Sequence, residues 1–370
     1  MINDYREIFR WFHMHPELSF EEYRTTRKIQ SILEAADIKT IPSGLKTGVI
    51  ALIAGGKEGE DRMLRADIDA LPVTEDTGLE YMSKNRDVMH ACGHDFHTVC
   101  ALAAAVCLNE RRDELSGNVY VVFQPGEEAF YGSRTVLETH VLDNVRKFYG
   151  FHCDPTKDVG VICVRDGAVT ASVDRFMITV NGTAGHGAVP HKANNPIPVI
   201  VSIAQQINTF SGGMISAFSP HVITITEISA KSAWNVIPES AKLTGTVRTM
   251  DEDARKIIRS QIGRIAGEFG EMYDVETVTE YEAGSHVTWN DSKLCNHAKS
   301  IARKCNLAIE EHESEMTGDD FGDYAPYGSE KSGVYIRVGT GKSYPLHHPK
   351  FMIDPAAIEP VTDFLVSLFL

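Results

Sequence analysis

Several strand-like apolar segments of this chain run directly into acidic or histidine side chains. Three segments share the pattern: Arg62–Ala66 before Asp67 and Asp69, Asn118–Gln124 before Glu127 and Glu128, and Lys147–His152 with its terminal histidine. The carboxyl ends of parallel strands meet at one edge of a sheet, which is where ligands of α/β proteins gather. The pattern therefore predicts a polar site at one edge of a buried sheet.

Helical patterns alternate with these strands. Apolar residues at helical spacing indicate helix over residues 4–37, with an interruption at Pro16, and a buried helix over His97–Leu108. A further strand is predicted at Thr47–Ala54. Strands that alternate with helices are typical of an α/β fold with a mostly parallel sheet flanked by helices.

The pattern changes after about residue 172. The predicted elements are, in chain order, strand Ser172–Val180, helix Pro196–Phe210, strands His221–Ser229 and Lys242–Thr249, helix Asp251–Phe269 and strand Asp274–Glu282. This βαββαβ order is that of a ferredoxin-like α+β domain.

After about residue 285 the chain returns to the first pattern. It shows a helix at Lys293–Cys305, a strand at Val334–Val338 and a C-terminal helix from about Pro355. A length of 370 residues suggests two to three domains. We therefore expect a discontinuous catalytic domain, residues 1–171 and 286–370, interrupted by an inserted domain at residues 172–285.

The charge balance excludes two classes of partner. Lys and Arg total 36 against 51 Asp and Glu, a formal charge of −15, so the chain repels nucleic acids and anionic membranes. The longest apolar stretch, Val99–Leu108, is shorter than the roughly 20 residues that span a bilayer. We expect small-molecule substrates, with no nucleic-acid and no membrane partner.

The seven cysteines indicate a reducing compartment. Their number is odd, no C-x-x-C occurs, and the first residues lack the apolar region of a signal peptide. A cytoplasmic location is expected.

A mixed set of sulfur, nitrogen and oxygen donors stands at the predicted strand ends and in nearby loops. Its members are Cys92, His94, Glu127, Glu128, His152 and His347. Such a set suits Zn²⁺ or another first-row divalent ion better than Mg²⁺ or Ca²⁺. Adjacent glutamates point in different directions, so one can bind metal while the other acts as a general base. Asp67, Asp69 and Asp95 are candidates to orient ligand histidines.

Eight motifs occur in one order along the chain. They are RADIDALP (65–72), MHACGHDFH (89–97), VVFQPGEE (121–128), GFHCDP (150–155), GHGAVPH (185–191), NVIPESAKLTGTVRT (235–249), MTGDDFG (316–322) and LHHPKF (346–351). This set resembles the amidohydrolase branch of the M20 metallopeptidase family, which includes hippurate hydrolases, N-acyl-amino-acid amidohydrolases and N-acetyldiaminopimelate deacetylases. The resemblance runs from about Phe9 to Pro355.

The resemblance implies an enzyme that hydrolyses the amide of an N-acyl amino acid with two divalent metal ions per chain, Zn²⁺ or Mn²⁺, or else Co²⁺ or Ni²⁺. The implied metal ligands are Cys92, His94, Glu128, His152 and His347. Glu127 would be the general base, and the inserted domain a lid through which a homodimer forms. His186 matches the family histidine that steadies the oxyanion, and Asn235 and Arg248 are candidates to bind the substrate carboxylate.

The chain departs from the family pattern at three places. Gly126 stands where Ala is usual, residues 129–133 replace a glycine-rich loop, and His348 replaces an Asn or Ser. The bulkier loop could reshape the acyl pocket. The LHH and MTGDDFG sequences favour an N-acetyldiaminopimelate deacetylase-like substrate.

Three alternatives stay open at this point. The same ligands would serve a metallo-dipeptidase or aminopeptidase. Cys92 could instead be a nucleophile with His94 or His97 as its base, which leaves the two glutamates without a role. A non-catalytic binding protein on the same scaffold is the third alternative, and the altered loop after Glu128 is the feature that favours it.

Overall fold

The computed structural model describes residues 4–311 and 313–370. These residues form two compact units. The first contains the described residues up to 169 together with 288–314 and 320–370, and the second contains 170–287 and 315–319. The predicted boundaries placed residues 315–319 in the first domain. In the structure Ala171 N–H donates to the carbonyl of Thr317 (2.9 Å), which ties this short segment to the second unit.

The α-helices and β-strands are numbered in chain order. The helices are α1 Tyr5–Met14, α2 Tyr23–Ala35, α3 His94–Glu110, α4 Gly132–Leu137, α5 Pro196–Thr209, α6 Ser211–Met214, α7 Glu252–Tyr273, α8 Ser292–Lys304 and α9 Ile358–Phe369. The strands are β1 Lys39–Thr40, β2 Val49–Ile53, β3 Arg62–Asp67, β4 Val119–Gln124, β5 Lys147–Asp154, β6 Val161–Cys163, β7 Gly167–Thr170, β8 Ser172–Asn181, β9 Gly185–His186, β10 His221–Ser229, β11 Val236–Ile237, β12 Ser240–Thr249, β13 Glu276–Ala283, β14 Thr288–Asn290, β15 Ala308–Glu310 and β16 Ser332–Gly339.

The first unit is built on an eight-stranded sheet in the order β1-β2-β4-β3-β5-β16-β6-β15. Its four central strands, β4, β3, β5 and β16, run parallel to one another. The antiparallel pairs lie towards the two edges. The predicted mainly parallel sheet flanked by helices is therefore confirmed.

Both faces of this sheet are buried, as is usual for a parallel sheet. In β3, Leu64 packs into the core on the side of α3 and α9, whereas Met63 packs into a separate cluster with Phe148 and Tyr324. Helix α3 is apolar around most of its circumference, because it lies between the sheet and other helices.

Several element ends differ from the sequence predictions. Helix α3 begins at His94 rather than His97, because Gly93 adopts a left-handed conformation (φ 80°) and turns the chain into the helix. The helical region over residues 4–37 is divided into α1 and α2, in agreement with the predicted interruption at Pro16. Helix α7 continues past Phe269 to Tyr273, where Asp274 ends it in a left-handed cap.

The second unit contains a four-stranded antiparallel sheet in the order β10-β12-β8-β13. Helices α5 and α7 pack on it, and its core includes Phe176, Ile203 and Ile262. A separate two-stranded ribbon pairs β9 with β11. The long elements follow one another in the order βαββαβ.

No helix among the described residues is long and apolar enough to cross a membrane.

Candidate metal centre

The carboxyl ends of the central strands bring the predicted polar residues to one edge of the sheet. Asp67 pairs in register with Gln124, so β3 and β4 end side by side. Strand β5 carries His152 beside Arg337 of β16. The loop after β16 reaches His347, whose N–H donates to the carbonyl of Ala91 (2.8 Å).

All five predicted metal ligands come together at this edge. Their donor atoms form overlapping groups, each spanning less than 4.8 Å: Cys92 with His94 and His152, Cys92 with Glu128 and His347, and His94 with Glu127 and Glu128. Cys92 Sγ lies 3.4 Å from His152 Nε2. Glu128 Oε1 lies 3.5 Å from His347 Nε2 and 3.9 Å from His94 Nε2.

The two glutamates occupy a short 3₁₀ turn directly after β4. Both carboxylates face His94 Nε2, Glu127 Oε2 at 4.0 Å and Glu128 Oε1 at 3.9 Å, and Glu128 Oε1 also lies 3.5 Å from His347 Nε2. The N–H of Glu128 donates to Asp69 Oδ2 (3.0 Å), which fixes the turn against the loop after β3. The turn thus presents two carboxylates to one small volume.

Two atoms of this cluster show that it fits a metal. His94 Nε2 and Glu128 Oε1 are buried and have no hydrogen-bond partner among the described residues. Leaving such atoms unpaired is costly, and native structures rarely do so without a ligand or water. One thiol, three imidazoles and a carboxylate are a donor set for a first-row divalent ion. The overlap of the donor groups is sufficient for two ions.

The shifted pKa values of the site residues also fit a metal site. Burial raises the pKa of Glu128 to about 7, although His94 acts in the opposite direction. Burial lowers the pKa of His94, but Asp67, Asp69 and Glu128 outweigh it and raise that pKa to about 10. Burial and the glutamates hold the pKa of the Cys92 thiol well above its usual range. Protons and a divalent cation would therefore compete for these groups.

The three aspartates predicted to orient ligands have different partners. Asp69 contacts the ligand His94, with Oδ1 3.1 Å from its Nδ1. Asp67 Oδ1 contacts Nδ1 of His97 (2.6 Å). Asp95 contacts Nδ1 of His13 (2.6 Å), a partner that the sequence did not suggest.

His97 is enclosed by hydrogen bonds. Its Nδ1 contacts Asp67, and its Nε2 accepts the N–H of Cys153 (2.8 Å). Both ring nitrogens are engaged, so His97 has no free lone pair for a metal or for a proton from Cys92. This removes one of the two bases available to a nucleophilic Cys92.

Next to the proposed ligands lies a buried ionic network that was not predicted from the sequence. Arg65 is fully buried and contacts Asp67, Gln124 Oε1 (3.1 Å) and Asp320 Oδ1 (2.8 Å). Asp320 belongs to the MTGDDFG motif, which was the only signal in the sequence for its importance. The network fixes the ends of β3 and β4 to the 320–323 turn.

The departures from the family pattern have structural counterparts. Gly126 adopts φ 65°, a conformation that favours glycine, and a Cβ there would collide with the ring of Phe20 in its present position. In the altered loop Phe130 also has a left-handed backbone (φ 56°), which is strained for an aromatic residue. His348 stacks on Tyr344, with 4.6 Å between ring centroids.

The remaining predicted residues belong to the second unit. His186 lies in β9 and is exposed, and the N–H of Gly187 donates to the carbonyl of Asn235 (2.8 Å). The β9–β11 ribbon thus places His186 and Asn235 near each other. Arg248 is half-buried on β12, where it pairs in register with Val173 of β8.

Comparison with known proteins identifies the class of enzyme. The family described as Peptidase family M20/M25/M40 matches residues 63–370. N-acetylcysteine deacetylase of Bacillus subtilis (strain 168) is 37% identical over 369 residues, which cover 100% of this chain and 95% of that protein. N-acetyldiaminopimelate deacetylase of Bacillus cytotoxicus is 31% identical over 373 residues, covering 98% and 96%.

A solved structure agrees with these relatives. The dinuclear metal-binding peptidase of the M20 family from Bacillus subtilis is 36% identical, with a TM-score of 0.85 over 98% of this chain and 96% of that one. The family and these relatives show that the chain is a hydrolytic enzyme that acts on amides. The chain belongs to peptidase family M20/M25/M40, as its motifs predicted.

Proposed function

We propose that this enzyme is a metal-dependent amidohydrolase that removes the acyl group, in the first instance acetyl, from N-acyl amino acids. One observation carries the proposal: a buried carboxylate, Glu127, lies beside ligand atoms that have no hydrogen-bond partner among the described residues. The relatives that match nearly the full chain include deacetylases of N-acetylcysteine and of N-acetyldiaminopimelate, which supports this substrate class.

Five residues would hold the two metal ions: Cys92, His94, Glu128, His152 and His347. Zn²⁺ or Mn²⁺ fits this set, as do Co²⁺ and Ni²⁺. Bound divalent ions would supply Lewis acidity, which lowers the pKa of water from 15.7 towards about 7 and polarises the amide carbonyl.

Glu127 is the residue that would move protons. Its carboxylate accepts a proton from the attacking water as the new C–O bond forms. The same group then donates this proton to the leaving nitrogen as the C–N bond breaks. The products are a carboxylate and a free amino acid, and Glu127 returns to its ionised form.

Residues of the second unit complete the proposal. We assign this unit as a ferredoxin-like lid and dimerisation domain, which its βαββαβ order and antiparallel sheet support. His186 would donate a hydrogen bond to the developing oxyanion, and Asn235 and Arg248 would bind the substrate carboxylate. The position of His186 and Asn235 in one ribbon supports a shared role.

A homodimer through this unit is supported by an exposed edge. Strand β10 pairs on one side with β12 and ends the sheet on the other side. Its Val222 and Ile228 are exposed, as are Ile197 and Val201 of α5. Lysine on an edge strand opposes pairing with another strand, so Ile228→Lys should yield a monomer in sedimentation analysis. If Ile228→Lys still sediments with the mass of two chains, this interface is refuted.

The substrate is tested by a hydrolysis panel with the metal-reconstituted enzyme. The panel compares N-acetylcysteine, N-acetyldiaminopimelate, hippurate, other N-acetyl amino acids and simple dipeptides. The proposal expects the highest kcat/KM for an N-acetyl amino acid, and the LHH and MTGDDFG motifs favour N-acetyldiaminopimelate. Preferred cleavage of dipeptides would support a dipeptidase, and no turnover of any compound would support the non-catalytic alternative.

The cysteine pattern supports a cytoplasmic location as part of this proposal.

A further inference from the structure

We infer that His97 is a positioning residue that sets the orientation of His152 through the backbone of Cys153. The contacts form a chain of buried hydrogen bonds. Asp67 Oδ1 lies 2.6 Å from His97 Nδ1, and Cys153 N lies 2.8 Å from His97 Nε2. The inference rests on the proposed role of His152 as a metal ligand.

The tautomer of His97 follows from its partners. The backbone N–H of Cys153 can only donate, so Nε2 of His97 must offer its lone pair. Nδ1 therefore carries the proton and donates it to Asp67. His97 is a neutral link between a carboxylate and a backbone amide.

Asp67 gives this link a fixed anchor. Its carboxylate contacts Arg65, whose Nη2 also donates to Asp320 Oδ1 (2.8 Å). These groups are fully buried, so water does not compete for their hydrogen bonds. The orientation of the His97 ring is consequently set by contacts from three elements, namely β3, β5 and the 320–323 turn.

Cys153 passes this constraint to His152. Nδ1 of His152 donates to the carbonyl of Cys153 (2.8 Å), which leaves the lone pair of Nε2 facing Cys92 Sγ at 3.4 Å. The same residue is thus held by His97 at its N–H and by His152 at its carbonyl. The rings of His97 and His152 also pack edge to face, with centroids 4.6 Å apart.

The chain of bonds joins the elements that carry the proposed ligands. Asp67 ends β3, His97 lies one turn after His94 in α3, and Cys153 follows His152 in β5. Residues that orient metal-bound histidines typically change metal affinity 10- to 100-fold when they are replaced. We expect an effect of this size from His97, although it is not among the proposed ligands.

Two substitutions separate hydrogen bonding from ring volume. His97→Phe keeps a ring of similar size but removes both hydrogen bonds. His97→Gln retains an amide that can donate to Asp67 and accept from Cys153. Val99→Ala is the control, because Val99 is buried in the same helix and makes no polar contact through its side chain.

The first measurement is the affinity for Co²⁺, read by competition with a chelator and by the visible spectrum of the bound ion. His97→Phe should weaken binding about 10- to 100-fold and alter the spectrum. His97→Gln should recover most of the affinity, and Val99→Ala should match the wild type. Wild-type affinity and spectrum in His97→Phe would overturn the inference.

The second measurement needs no metal. Nitrogen-15 spectra of the histidine rings in the metal-free wild type should show His97 and His152 protonated at Nδ1. A proton on Nε2 of His97 would overturn the inference even if His97→Phe does not fold.

His152→Ala separates the inference from the proposed function. If this variant keeps wild-type Co²⁺ affinity, His152 is not a ligand and the proposed site itself is wrong. If it loses affinity while His97→Phe does not, only the positioning role of His97 fails.

Discussion

Each unit of the molecule contains a buried cluster of charged side chains. The two clusters differ in whether their buried polar atoms have hydrogen-bond partners. In the second unit Arg255 donates to both oxygens of Asp174, at 2.9 and 2.6 Å. Tyr281 and the N–H of Gly284 donate to the same carboxylate, at 2.6 and 3.1 Å. In the first unit His94 Nε2 and Glu128 Oε1 have no hydrogen-bond partner within the described part of the chain.

The difference separates a structural cluster from a functional one. Buried charges are tolerated when they are paired and hydrogen-bonded, as around Asp174. Unpaired buried atoms next to several other donors indicate that something else completes the site. Buried charge alone does not tell a structural cluster from a functional one, because both clusters contain buried charges.

The largest loss of activity is expected from a change at the first-unit cluster, which contains His94 and Glu128. Glu127→Gln keeps the size of the side chain and removes its ability to accept a proton, so kcat should fall by about 10²- to 10⁴-fold. Metal content, measured by elemental analysis, should be unchanged because Glu127 is not a proposed ligand. Wild-type turnover in this variant would show that another group is the base.

A change in the second-unit cluster around Asp174 should lower the stability of the protein and leave its metal content unchanged. Arg255→Met removes the cationic partner of the buried Asp174 carboxylate, so the free energy of unfolding should fall by about 3–5 kcal/mol. The control is Arg264→Met on the same helix, where an exposed pair with Glu268 contributes only about 0.3–0.5 kcal/mol. Equal losses in urea unfolding of the two variants would contradict the structural role of Arg255.

A smaller effect concerns the pH dependence of stability, through the buried contacts of His13 in the first unit. Burial lowers the pKa of His13, but Asp95 at 2.6 Å and Glu75 at 3.2 Å outweigh it and raise that pKa to about 9. The folded-state value lies above the unfolded value of about 6.5, so the stabilisation is fully present below pH 6.5 and is lost as the pH rises through 9. Its upper bound is about 3 kcal/mol.

The test compares the free energy of unfolding at pH 6.5 and pH 9 for the wild type and His13→Gln, both free of metal. The variant should show a flatter dependence on pH, because glutamine does not titrate. The same slope in both proteins would show that the His13 contacts do not contribute. Arg255 in the other cluster stays protonated over this range.

The sequence predicted the long elements and the composition of the site, for physical reasons. Strands of five or more residues, such as β3 and β4, are buried runs that are long enough to be recognised, whereas β9 and β11 have only two residues each. The polar residues after β3, β4 and β5 were predicted to meet because parallel strands end at one edge.

The partners of these residues could not be predicted. Arg65 contacts Asp320, which is 255 positions away, and His13 contacts Asp95 across 82 positions. No local periodicity reports such pairs, since only the tertiary fold brings them together. The sequence also suggested His97 as a base for Cys92, whereas its two hydrogen bonds show that neither ring nitrogen is available.

The central claim is that the unpaired atoms of His94 and Glu128 exist to bind metal. Elemental analysis of the purified, reconstituted enzyme tests it most directly, together with the double variant His94→Ala, Glu128→Gln. The account predicts two equivalents of divalent transition metal per chain in the wild type and a loss of bound metal in the double variant. Two equivalents of metal retained in the double variant, or no bound metal in the reconstituted wild type, would contradict it.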